Sequence, residues 1–345
     1  MSDSDLRQLI ERHRAWWNRT SCILLEQVSE YTPPATAAPA PRSLPLAGGA
    51  RLEEGQVLAP EQVDPAQFYP DPPGEVTAAR GDFIGGMSPP HLCWTEAAVG
   101  CPVRLVAGGP WAEPSPVDWR DAAGLRADPR WLSKLEAFSR LLTERADGRC
   151  PVTQPLMRGP ADMLASAVGH EDALVALLDE PHAADAFLAA CARIFIELAE
   201  KRLEHTPPFR DGYLSSYGIW APGTVVRTQI DNATMLSPAM YRDQVLPHDR
   251  AIMGAFDYSL IHLHSGCLHV VGALFDVDEL QAIQVSIDHP GGPLATEVMP
   301  ILERIAQHKP LIVTGPVTPA ELDSLRQLAL RGSVCLNVRL ELDRK

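Results

Sequence analysis

The sequence predicts an α/β fold, a (β/α)8 TIM barrel with an N-terminal helical and proline-rich extension. Three observations carry this. Short apolar runs alternate with amphipathic helical patterns through most of the chain, as in a parallel sheet covered by helices. Eight strand candidates can be counted: Cys22–Val28, Val103–Val106, Cys150–Leu156, Val225–Asp231, Tyr258–His264, Ala282–Ile287, Pro310–Thr314 and Ser333–Val338. Eight repeats suit a closed barrel better than an open sheet. Nucleotide fingerprints are missing: no GxGxxG follows a strand and no GxxxxGK[ST] occurs, so no nucleotide cofactor is expected.

The elements follow in order. Leu6, Leu9, Ile10, His13, Trp16 and Trp17 recur at helical spacing, predicting a helix over residues 5–17. Cys22–Val28 then reads as the first strand. Tyr31–Ala50 carries five prolines, and others follow at 60, 65, 70, 72 and 73, so residues 30–80 read as a surface insertion. The expected division is therefore 1–80, comprising helix, first strand and insertion, and 81–345, the remainder of a single barrel domain. Helical patterns lie over Trp131–Ala146, Ala161–Val168, Ala183–Leu203, Pro238–Phe256, Thr296–His308 and Pro319–Leu330.

Charge and cysteine usage narrow the function. With 30 Lys and Arg against 44 Asp and Glu, the net charge of −14 disfavours nucleic acid and anionic lipid as partners. No apolar run approaches the ~20 residues of a membrane span, and the N-terminus lacks the apolar core of a secretory signal. Seven cysteines without a CxxC pair favour neither a disulfide framework nor a zinc ribbon. A cytoplasmic protein with reduced thiols and a small-molecule substrate is the expectation; a homodimer is left open.

Strand residues alternate between faces, which sorts the polar residues. Arg227, Gln229 and Asp231 share one face of their strand; His262 and His264 share another; Gln284, Ser286 and Asp288 a third; Cys335 and Asn337 a fourth. The opposite faces are apolar and must meet helices, so the polar sets point inward and gather toward the strand C-terminal ends, where barrels build their sites. Two imidazoles at i and i+2 can share a metal, and a thiolate from Cys267 or Cys335 would complete a zinc set. The alternative is that they are pocket histidines hydrogen-bonded to an anionic substrate. Arg158, in Met157-Arg158-Gly159-Pro160, suits either a substrate carboxylate or a neighbouring acid. Cys93, Cys101, Cys150 and Cys191 read as small core residues.

Several segments together resemble the uroporphyrinogen decarboxylase superfamily, which also contains corrinoid-dependent methyltransferases. They are Thr95-Glu96-Ala97-Ala98-Val99-Gly100-Cys101-Pro102-Val103, Pro151-Val152 through Met157-Arg158-Gly159-Pro160, Gln229-Ile230-Asp231 with Leu236-Ser237-Pro238-Ala239-Met240-Tyr241, and His262-Leu263-His264-Ser265-Gly266. The resemblance covers about residue 80 to the C-terminus. It implies a barrel with its site at the C-terminal mouth, as the parity argument does independently. The arginine-rich segment of true uroporphyrinogen decarboxylases is missing near the first strand, and His262-x-His264 stands where the methyltransferases carry His-x-Cys. The resemblance therefore implies a divergent member, a zinc-assisted methyltransferase moving a methyl group between a corrinoid and a small thiol. In this reading His262, His264 and Cys267 or Cys335 hold zinc; Asp231 and His264 are catalytic; Arg158, Arg227, Gln229, Gln284 and Ser286 bind substrate. No DxHxxG cobalamin motif is present, so a corrinoid protein is the implied partner. Two alternatives are a metal-independent decarboxylase of a small or tetrapyrrole carboxylic acid and a non-catalytic small-molecule binding barrel.

Overall fold

A computed structural model describes residues 2–30, 43–69, 81–116 and 118–341. The first helix, α1 (Asp3–Asn18), opens on a Ser2 capping box with Asp5. After it come β1 (Leu24–Glu30), α2 (Pro129–Ala146), α3 (Pro160–Val168), α4 (His170–Asp179), α5 (Pro181–Glu204), β2 (Val225–Gln229) and α6 (Leu246–Met253). The chain ends with β3 (Tyr258–His264), β4 (Ala282–Ser286), α7 (Ala295–His308), β5 (Leu311–Val317), α8 (Pro319–Leu328) and β6 (Val334–Leu340). Proline at the first turn of α2, α3 and α8 fixes where these helices start.

Six strands form one parallel sheet in the order β1-β6-β5-β4-β3-β2. The regular ladder stops there, which corrects the expectation of eight barrel strands: a closed barrel is not shown. Two candidates account for the difference. Val103–Val106 pairs antiparallel with Val57–Leu58 and Gly109–Ala112 in a separate sheet, because Ala107-Gly108 turns the chain straight back. Cys150–Leu156 is broken by Pro151 and Pro155, which cannot donate to a ladder. It keeps one parallel bridge, Met87 to Val152. The Gln154 side chain replaces the lost pairing by accepting from the Arg227 N–H at 2.8 Å and donating to its carbonyl at 2.7 Å. Segment 81–88, not read as strand-like from sequence, meets β1 where Asp82 N–H donates to Glu26 O at 3.1 Å.

The faces divide as the alternation requires. Val226, Ile261, Leu263, Ile283, Val285, Val313, Leu336 and Val338 lie in the large core shared with the helices. Leu25, Leu260, Ala282, Ile312 and Cys335 lie on the opposite face in a second core, closed from below by Trp16 and Trp17 of α1. The N-terminal helix is therefore a plug for one end of the sheet. His13 fastens it, its imidazole bridging Asp82 O at 2.7 Å and the Trp220 N–H at 3.0 Å. Part of the proline-rich stretch is packed: Leu46, Leu52, Leu58 and Val63 are buried in the large core. Residues 31–42 and 70–80 lie outside the described residues. No helix among the described residues is long and apolar enough to cross a membrane.

Candidate metal centre and active site

Beyond the strand ends, β2 and β3 bring Asp231, His262 and His264 together. His262 Nε2 lies 3.3 Å from His264 Nε2, and Asp231 Oδ1 lies 3.3 Å from His264 Nε2 and 3.7 Å from His262 Nε2. The three donor atoms form one compact triangle. A tetrahedral ion with bonds of ~2.0–2.1 Å spaces its ligands by roughly 3.3 Å, so the triangle has the dimensions of one face of a zinc site. Apart from its approach to the two imidazoles, Asp231 Oδ1 is buried without a hydrogen-bond partner. A buried carboxylate oxygen whose polar neighbours are two imidazole nitrogens fits a divalent cation of the zinc type, with one position left for substrate.

Each ligand is held by a second residue. The Gln284 amide donates to Thr314 Oγ1 at 2.8 Å, which turns its oxygen toward the Tyr217 hydroxyl at 2.6 Å and His262 Nδ1. His262 therefore carries its proton on Nδ1 and presents the Nε2 lone pair to the triangle. His264 donates Nδ1–H to Asp288 Oδ2 at 2.9 Å and presents Nε2 likewise. Asp231 Oδ2 accepts from Gln229 Nε2 at 2.7 Å. Its backbone N–H, with that of Asn232, donates to the buried Asp162 carboxylate at 3.0 and 2.8 Å. Asp162 reaches that position because α3 begins tight against β2, with Gly159 N–H 3.2 Å from Gln229 O.

The electrostatics separate the two histidines. Burial, helped by the Arg227 charge, lowers the His262 pKa to about 4, so it is neutral. The bonds to Asp231 and Asp288 raise His264 to about 10, so without a metal it is an imidazolium. Burial works to raise the Asp231 pKa, yet its bond to His264 and the charges of His264 and Arg158 hold it below the usual range. Asp162 is pushed up to about 7 by burial and by the Asp231 charge.

The other expected residues divide. Arg227 donates to Gln229 Oε1 at 2.6 Å and to the Tyr217 hydroxyl at 3.2 Å. Arg158 is paired with the buried Glu96 at 3.0 Å, a neighbouring acid, and stands 3.9 Å from Asp231 Oδ2. Glu96 and Thr95, which accepts the Arg158 N–H at 3.0 Å, belong to the first of the resembling segments. Ser286 lines a cavity of about 570 Å³ that also meets Tyr217, Asp288, Thr314 and Asn337. Neither cysteine joins the donor triangle. Cys267 is buried and gives its thiol to Asp231 O at 3.8 Å, while Cys335 sits among Leu25, Leu260 and Ile312 in the apolar plug layer. Burial raises both thiols, Cys267 to about 11, which opposes thiolate formation. Sequence reasoning assigned no role to Tyr217, Asp162, Glu96, Asp288 or Thr314. Asp288 is sorted inward with Gln284 and Ser286 by parity but is given no role; Tyr217 comes from an irregular loop and carries no such signal. A second group, Glu136, Glu204 and His205, is at the surface, where Arg140 and Lys201 already pair with it.

No family model and no curated protein matches the chain. Among solved structures it is similar to a methyltransferase from Methanosarcina mazei, at 13% identity over 74% of each chain with a TM-score of 0.54. It is also similar to a B12-independent methionine synthase from Shewanella sp. W3-18-1 solved with selenomethionine, at 13% identity over 60% of this chain and 59% of that one, with a TM-score of 0.40. The likeness to the Methanosarcina protein is one of fold.

Proposed function

We propose that this protein is a metal-assisted, methyltransferase-like enzyme whose zinc is held by Asp231, His262 and His264. The convergence of those three donor atoms, with Asp231 Oδ1 otherwise unpartnered, carries the reading. Asp231 takes the place that the sequence reading gave to a cysteine. Zinc bound there would lower the pKa of a small thiol and make it nucleophilic at neutral pH. Gln284 and Asp288 fix the imidazole orientations, and Asp162 fixes the backbone of Asp231, so the ligands need no rearrangement. A thiol activated there would form the new S–C bond to the donor's methyl group from its sulfur lone pair, the methyl–donor bond would break with its electrons staying on the donor, and the thiol proton would leave to solvent. The donor in this reading is a corrinoid delivered by a separate protein.

Zinc titration of protein stripped with chelator tests the reading: one ion per chain is expected, with the Asp231→Asn variant losing stoichiometric binding. Stripped wild-type protein that keeps full activity would sink it. One observation favours a second reading in that event. The imidazolium of His264, between Asp231 and Asp288, could protonate the carbanion left when a substrate carboxylate departs as CO2, which is decarboxylation without a metal.

A further inference from the structure

The cavity of about 570 Å³ beside the donor triangle is a chamber of its own, lined neither by Asp231, His262 or His264 nor by Arg227. It meets the triangle only through its wall. Asp288 holds His264 there, and Thr314 and Tyr217 hold the Gln284 amide against His262. The chemistry proposed above makes no use of this space. His289 apart, the ionic groups on the wall are one acid and one base, Asp288 and Arg339. Asp288 is spent on His264, while Arg339 is exposed and already engaged. The rest of the polar wall is neutral.

Ser286, Thr314 and Asn337 stand in register on β4, β5 and β6, about 4.8 Å apart from strand to strand. Their hydrogen-bonding capacities differ in a way that selects a ligand. Ser286 gives its hydroxyl proton to the Asp288 carboxylate and keeps oxygen lone pairs as acceptors. Thr314 Oγ1 accepts from Gln284 Nε2 at 2.8 Å and keeps its O–H as a donor. The half-buried Asn337 amide has no hydrogen-bond partner among the described residues, and it offers both an acceptor and two donors. An anion only accepts, so it would suit Thr314 but meet the Ser286 lone pairs and the Asp288 charge. An ammonium only donates, so it would fail at Thr314. A hydroxyl does both, and several hydroxyls on one small carbon frame match the whole row. Tyr217 and Pro316 add carbon surface for the C–H edges of such a molecule, and the volume lies within the ~300–1,000 Å³ of small-molecule sites. We propose that this chamber binds a neutral polyhydroxylated molecule, a sugar or polyol, through Ser286, Thr314 and Asn337. None of the three is a metal ligand, so the site stands with or without zinc.

The probes are D-glucose and myo-inositol, with glucuronate and glucosamine as charged counterparts of glucose, titrated into stripped protein and followed by saturation-transfer NMR. Wild type should bind at least one of the neutral pair, and glucose or inositol should bind at least fivefold more tightly than either charged probe. Asn337→Leu, which removes the amide and fills its place, should weaken that binding at least fivefold, since the hydroxyls it served lose their partner. The native amide has no protein partner, so this variant should melt no lower than wild type. Should it not fold, Asn337→Ala decides: it removes the amide without adding bulk and should weaken binding by the same factor. Binding that both variants leave unchanged lies elsewhere on the molecule and overturns the proposal. Preference for glucuronate or glucosamine, or no binding of either neutral probe, also overturns it. Zinc titration of the same stripped sample separates this site from the metal reading. Polyol binding in a protein that takes up no zinc leaves the chamber standing and ends that reading; zinc uptake without polyol binding does the reverse.

Discussion

His262 and His264 act as one unit because each spends its Nδ1 proton on a fixed acceptor and turns Nε2 inward. His264→Ala should therefore abolish stoichiometric zinc binding, measured by elemental analysis after dialysis. Gln284→Leu leaves all three ligands in place but frees the His262 ring. Zinc stoichiometry should survive while affinity falls about 10–100-fold, as for other supporting residues of metal sites. Cys335→Ser should leave both unchanged, since Cys335 is buried in the plug layer away from the triangle. Loss of zinc from that serine variant would return the cysteine to the ligand set.

Two elements hold the site in place, and each has a weak point. The start of α3 approaches β2 so closely that a Cβ on Gly159 would lie 2.4 Å from Gln229 O and 2.9 Å from Thr228 Oγ1. Its φ of −75° suits any residue, so space and not backbone conformation requires glycine there. Gly159→Ala should cost about 1–3 kcal/mol in chemical denaturation and weaken zinc binding, because α3 carries Asp162. At the other end, α1 buries Trp16 completely beneath the sheet. Trp16→Ala should cost ~3–5 kcal/mol while leaving zinc stoichiometry intact in the folded fraction. A variant as stable as wild type would show that the plug is dispensable.

At the scale of the whole molecule, buried titratable groups set an opposed pH dependence. Asp249, buried and accepting from the Tyr241 hydroxyl at 3.1 Å, has its pKa raised to about 8, chiefly by burial. Between the unfolded carboxylate value and pH 8 the fold binds a proton that the unfolded chain releases, so stability falls as pH rises through that window. His13 is lowered to about 4 by burial. Between that value and its unfolded pKa of ~6.5 the unfolded chain binds the proton, so stability falls as pH drops. Asp249→Asn removes the first effect alone. Urea midpoints measured from pH 5 to 8.5 should decline less in this variant than in wild type; parallel curves would refute the assignment.

The sequence by itself determined which side chains point inward, because strand alternation is local: Arg227, Gln229, His262, His264, Gln284 and Asn337 were all sorted by parity. It determined the parallel α/β character and most helix positions through apolar periodicity and first-turn prolines. Parity gives a face but not a depth. In the sheet Cys335 is in register with Ile312, and Ile312 with Gln284, yet Cys335 lies in the plug layer while Gln284 supports His262. Strands that tilt across a sheet place residues of one register at different heights, so only the tertiary structure could exclude the cysteine and bring Asp231 to the histidines. The strand count failed for a local reason seen only in context: a two-residue turn diverted one apolar run into a hairpin, and prolines broke another. Whether Arg158 or Arg227 lacked a counter-ion was likewise decided by packing. Glu96 is distant from Arg158 in sequence and 3.0 Å away in space, whereas no acid among the described residues forms an ion pair with Arg227.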